Sequence, residues 1–118
     1  LKRGIQINKA DAPCIEPPKH TKALCWTFIA PNMQDNKAFE LMLTTVEPGG
    51  GAEIVTHPTE HAYYVISGRM EATVEGQVFD LGPGSCLYMD KEAAHGLKVV
   101  GDEPVSFVVI FAPARKYA

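Results

Sequence analysis

Residues 49–68 read GGGAEIVTHPTEHAYYVISG, and the conformation of this stretch decides the fold. Its centre, His57-Pro58-Thr59-Glu60-His61, fits HxxEH, the zinc motif of inverted metalloproteases, which needs both imidazoles on one face of a helix with the glutamate as base. A helix is excluded here. Pro58 is tolerated only in a first helical turn, and the continuation to Gly68 is aromatic and β-branched. The segment reads instead as two strands joined by a turn at 58–60. In an antiparallel pair this sets His57 and His61 across a ladder, near enough to share one ion at about 2.0–2.1 Å each. Period two then puts Glu53 and Val55 on the face of His57, and Tyr63 and Val65 on the face of His61.

Outward from this stretch, short apolar runs recur at the spacing of strands in a sandwich or barrel. They are Leu24–Ile29, Phe39–Val46, Glu53–His57, His61–Ser67, Met70–Val74, Gln77–Leu81, Cys86–Met89, His95–Val100 and Val105–Phe111. Turn chemistry separates them at Glu47–Gly51, Gly68, Glu75–Gly76, Gly82–Gly84 and Gly101–Pro104. Glu75–Gly76 is short enough for a tight hairpin, so Met70–Val74 and Gln77–Leu81 should pair antiparallel. Asp90–Ala94 can form one turn. The glycine run at Gly49–Gly51 lacks the Lys-Ser/Thr and the helix of a phosphate-binding loop and reads as a strand connection. The fold class is all-β. Met42, Met70, Phe39, Phe79 and Phe107 are expected as barrel packing, and Trp26 as core or interface.

With 118 residues the chain has room for one domain, and 46% apolar residues can supply its core. We expect an extended arm over residues 1–22, a barrel over 23–115 and a tail over 116–118. The arm carries Pro13, Pro17 and Pro18, and with Leu24–Ile29 it has no evident partner inside a short barrel. A neighbouring subunit would cover that edge, so a homodimer is expected. Eleven basic against 14 acidic residues leave a net charge of −3, without the footprint of a nucleic-acid binder. No apolar run approaches a membrane span and residues 1–10 lack a signal-peptide core, so a cytoplasmic location is expected. Three cysteines without CxxC spacing suggest reduced thiols, with Cys25 and Cys86 packed as small apolar side chains.

Of four histidines, His57, His61 and His95 fall on or beside predicted strands, and neutral imidazole is the commonest ligand for transition metals. His20, in the arm, reads as a surface residue. Glu53 near a barrel rim and Tyr63 pointing inward are the candidate catalytic groups, as carboxylate base and hydroxyl donor. Glu60 is out of the inward phase.

These residues are similar to the two motifs of the cupin superfamily of small β-barrels. In that pattern a glycine precedes an HxH pair, a glutamate follows three or four residues later, and another glycine lies seven positions beyond. Gly49, Val55, His57, His61 and Gly68 occupy those places. Gly84 and His95 match the second motif, with Asp90 where proline is usual and Val99 where asparagine is frequent. The resemblance runs from Gly49 to about Val100. It implies a double-stranded β-helix, or jelly-roll barrel, holding a metal. Val55 replaces the first histidine and His61 the glutamate, so the implied shell is His57, His61 and His95. The set VxHxxxH resembles the ExHxxxH ligands of (S)-ureidoglycine aminohydrolase, a manganese-dependent cupin, without its first glutamate.

The cofactor expected is one divalent transition metal ion: zinc, iron, nickel, copper or manganese. Exchanging carboxylate for imidazole turns the preference away from manganese. Two readings follow. One is a metal-dependent lyase, hydrolase, isomerase or dioxygenase acting on a keto acid, sugar acid or ureido compound by Lewis-acid or oxygen chemistry. The other is a barrel that binds or senses a small ligand without turnover.

Overall fold

Period-two alternation is the pattern that becomes architecture. The computed structural model describes residues 3–117. Leu1 and Lys2 of the expected arm and Ala118 of the expected tail lie outside the described residues. Among the described residues nine strands form: β1 (Cys14–Ile15), β2 (His20–Ile29), β3 (Glu40–Val55), β4 (Glu60–Ser67), β5 (Met70–Val74), β6 (Gln77–Leu81), β7 (Cys86–Met89), β8 (His95–Val99) and β9 (Val105–Ala112). They hydrogen-bond in the order β6-β5-β8-β3-β9-β4-β7, with β2 added along β3 and β1 along β2. The expected all-β barrel is what forms, and β5 and β6 pair through Glu75 and Gly76, both at positive φ, as a tight hairpin demands.

Three adjacent strands build the core in layers. Across β3, β9 and β4 the register sets Thr44 beside Phe107 and Val65, Met42 beside Val109 and Tyr63, and Glu40 beside Phe111 and His61. All of these side chains are buried. The apolar end, with Val46, Val65, Val105, Phe107 and Met70 fully buried, is the hydrophobic anchor. Each such side chain contributes about 1.5–3 kcal/mol. The other end of the same rows is polar, and there the site lies.

Several expectations need correction. Glu47–Gly51 is not a turn between two strands, because β3 runs without a break from Glu40 to Val55. Its first half pairs with β9 and its second with β8, so the strand passes from one side of the barrel to the other. Against β2 the register jumps from Ala23↔Val46 to Thr21↔Gly51, which leaves residues 47–50 bulged opposite Lys22. The glycines serve close approach. A Cβ on Gly51 would stand 2.3 Å from the Leu97 carbonyl oxygen, and one on Gly50 would stand 2.4 Å from that of Thr21.

The arm also finds its partners within the chain. β1 pairs with β2, Lys9 Nζ sits 4.1 Å over the Trp26 ring, and Glu53 N–H donates to the Lys19 carbonyl at 3.0 Å. The premise that these segments need another subunit is therefore corrected, and the strand at the arm's end starts at His20, inside 1–22. Cys25 is buried as expected, but Cys86 is exposed, because the inward phase of β7 belongs to Leu87 and Met89. Asp90–Ala94 makes a tight turn in which Ala93 N–H donates to the Asp90 carbonyl at 3.2 Å.

Gly68 ends β4 at φ +76°, where a Cβ would fall 2.2 Å from the Pro104 carbonyl oxygen and 2.7 Å from Val105 Cα. Gly68→Ala should cost about 3 kcal/mol or more, a clash added to left-handed strain. Gly101→Ala, at φ +91° with nothing within 4 Å, should cost only about 1–2 kcal/mol. Urea unfolding of the two variants checks this, and equal losses would contradict the close approach.

Candidate functional site

His61 is the first inward residue of β4, His95 opens β8 opposite Val55 and Val74, and His57 lies in the link after β3. The facing-strand geometry expected for His57 and His61 does not form, because β9 lies between β3 and β4 in the sheet. The rings meet nonetheless. Centroids lie 4.4 Å apart for His61 and His95, 5.2 Å for His57 and His95, and 5.4 Å for His57 and His61.

Hydrogen bonds assign the tautomers. His95 Nδ1 is 2.8 Å from the Ala93 carbonyl oxygen and must donate to it, which leaves a lone pair on Nε2. His61 Nε2 lies 3.0 Å from that atom and so carries the proton between them. His61 Nδ1 is buried, and no hydrogen bond of good geometry reaches it. Burial, with the neighbouring charges of His95 and His57, lowers the His61 pKa to about 4 from 6.5, while the Thr59 backbone works the other way. The His57 pKa is lowered by the same kind of burial, and then by His95 and Arg115.

Imidazole nitrogens are donors of the kind that transition metals take. Rings sharing one ion at about 2.0–2.1 Å per nitrogen have centroids roughly 4.5–5.3 Å apart, close to those observed. His57, His61 and His95 are the residues that would hold such an ion. As the side chains stand, no three histidine, cysteine or acidic groups among the described residues form a closed donor cluster.

His57 and His95 line a cavity of about 310 Å³. Tyr63 lines it from β4, 7% exposed, and burial pushes its phenol well above the ordinary range. Its hydroxyl has no hydrogen-bond partner among the described residues. Glu53 lines the rim and is exposed, while Glu60 bonds Tyr88 on the outer face. Two groups at this cavity escape the sequence reading. His20 is not a plain surface residue, since it borders the cavity with Nδ1 2.8 Å from the Pro18 carbonyl oxygen. Arg115 lines the wall and forks onto buried Glu40. Glu40 occupies the inward phase of β3, where a carboxylate requires a cation, and that signal could have revealed the pair.

The sequence matches the family model of the cupin domain over residues 42–111. The chain belongs to the cupin family. Oxalate decarboxylase OxdC of Bacillus subtilis (strain 168) is 34% identical to this cupin over 86 residues, covering 68% of this chain and 22% of that protein. The chain thus spans about a fifth of the length of the curated relative it matches. Among solved structures, the polyketide cyclase RemF from Streptomyces resistomycificus superposes at a TM-score of 0.82 with 21% identity, over 95% of this chain and 81% of that one. That is a likeness of fold. A cupin 2 domain-containing protein from Halorhodospira halophila superposes at 0.73 with 32% identity, over 79% of this chain and 66% of that one.

Protonation of this cupin should be costly. The unfolded His61 titrates near 6.5 and the folded one near 4, so between those values the unfolded chain takes up a proton that the fold refuses. Stability of the metal-free protein is full above pH 6.5 and falls as the pH drops toward 4, by about 3 kcal/mol from this residue. Scanning calorimetry from pH 7 to 4.5 should show a falling midpoint, with a shallower fall in His61→Gln.

Proposed function

We propose that this cupin is a metal-dependent enzyme acting on a small polar metabolite, with one divalent transition metal ion on His57, His61 and His95. The observation that carries the reading is the convergence of three imidazoles from three separate segments, two of which, His57 and His95, line a 310 Å³ cavity, while the Nε2 atoms of His61 and His95 stand 3.0 Å apart. The ion supplies Lewis acidity toward a carbonyl or carboxylate oxygen. Three neutral imidazoles carry no charge, so zinc, iron, nickel or copper suits the set better than manganese.

The chain's own groups have defined tasks. The Ala93 carbonyl holds the His95 ring in one tautomer and one orientation. Tyr63, kept protonated by burial, donates its hydroxyl to a substrate oxygen. Glu53 exchanges a proton with solvent at the rim as the base. Phe107, Val109 and Phe111 keep water from the inner wall. The substrate class is a keto acid, sugar acid or ureido compound. The relative's name is that of a decarboxylase, which supports lyase chemistry among the reaction types.

A second reading is a barrel that binds or senses a small ligand without turnover. It is favoured by the direct His61–His95 hydrogen bond, which satisfies two imidazole nitrogens with no ion. Elemental analysis of protein purified without added metal separates the two. The first reading expects close to one ion per chain, with occupancy falling about tenfold or more in His57→Ala and His95→Ala. Negligible metal, or metal indifferent to these changes, establishes the second.

A further inference from the structure

The cavity wall carries a cation that neither reading uses. Arg115 follows β9, and its fork is fixed from three directions. Its backbone N–H donates to Glu40 Oε2 at 2.7 Å, Nε to Oε2 at 3.0 Å and Nη2 to Oε1 at 3.0 Å. Nη2 also meets Met42 Sδ at 3.9 Å, and the guanidinium carbon stands 4.2 Å over the Phe111 ring. Burial by itself would raise the Glu40 pKa, but the Arg115 hydrogen bonds outweigh it and keep the carboxylate ionised. Glu40 therefore takes the Nε–Nη2 edge, and Nη1 has no acceptor among the described residues. A guanidinium so immobilised has already lost the rotamer freedom that capturing an anion would cost it.

Charge and chemistry around it agree. The chain as a whole is acidic, yet the charged groups that line the cavity are Lys19 and Arg115, the latter shared with Glu40, against one carboxylate in the lining, Glu53. Between these charges the wall is largely apolar, with Ile15, Pro17, Met42, Val109 and Phe111, and its polar groups Thr44 and Thr56 are few. A polyhydroxylated ligand would leave hydroxyls unpaired against such a wall, at a desolvation cost. An aliphatic or aromatic body would not. The Tyr63 hydroxyl is one further donor for an oxygen on the ligand.

We propose that the cavity binds a small carboxylic acid with an apolar body, its carboxylate taken by the guanidinium edge of Arg115 that Glu40 leaves open. The proposal rests on the cavity as the substrate site, and within that reading it selects the keto acids over sugar acids and ureido compounds. It does not depend on the metal.

Calorimetric titration of EDTA-treated protein is the test, with 3-phenylpropanoate, its methyl ester and gluconate as probes. The acid should bind about tenfold or more tightly than the ester and than gluconate. Arg115→Gln should weaken the acid about tenfold and leave the ester within about twofold, while Arg115→Lys keeps part of the preference. If Arg115→Gln does not fold because Glu40 is left buried and unpaired, Glu40→Gln combined with Arg115→Gln removes both charges and takes its place. A mere staple for the C-terminal turn would lower the melting temperature without separating acid from ester. Equal affinity for acid and ester, no binding of the acid at millimolar concentration, or an acid preference that survives loss of Arg115 overturns the proposal. Metal content does not enter this measurement, so failure of the metal reading is seen separately.

Discussion

One cross-strand row, Glu40–Phe111–His61, organises the polar end of the barrel. Phe111 is its centre. The Arg115 guanidinium lies over its ring at 4.2 Å, His61 stacks on it at 5.1 Å and 22°, and His57 meets it edge-on at 5.4 Å. The row exists because β3, β9 and β4 are in a register that places one inward residue from each at the same level. A slip by one residue along β4 would send His61 outward and bring Glu60 or Ala62 in, and no local contact could rebuild the cluster.

A polar end of this kind is affordable only because the rest of the barrel is apolar. A buried imidazole that resists protonation, a buried carboxylate and a phenol unpartnered among the described residues all oppose folding unless they are satisfied. Their neighbours along the same strands are Val46, Val65, Val105 and Phe107, which are fully buried. The strands thus carry a gradient, with the hydrophobic anchor at one end and reactive groups at the other. Val55, directly opposite His95, belongs to the same logic. An apolar side chain there leaves the three rings without a carboxylate among them, which sets the electronic character of the site.

Much of this was legible in residue order. Pro58 and the alternation in residues 61–67 excluded a helix and foretold β4, and the same alternation foretold Tyr63 and Val65 inward, as found. The three histidines were recognisable as a set. Other features were not legible, because they depend on which strands become neighbours. Glu47–Gly51 has turn composition, yet its glycines serve a strand gripped between the Thr21 and Leu97 backbones. Proline-rich composition made the arm look unpartnered, whereas Lys19 bonds Glu53 and Pro17 lines the cavity.

Local rules, namely period-two alternation and turn propensity, act between residues a few positions apart, and so the sequence by itself determined most of the strands, the inward face of β4 and the candidate imidazoles. It could not determine that β9 would lie between β3 and β4, nor that Arg115 would close onto Glu40 across 75 positions. Those outcomes follow from long-range pairing, where burial of the whole core selects one arrangement of strands among the many that local preferences allow.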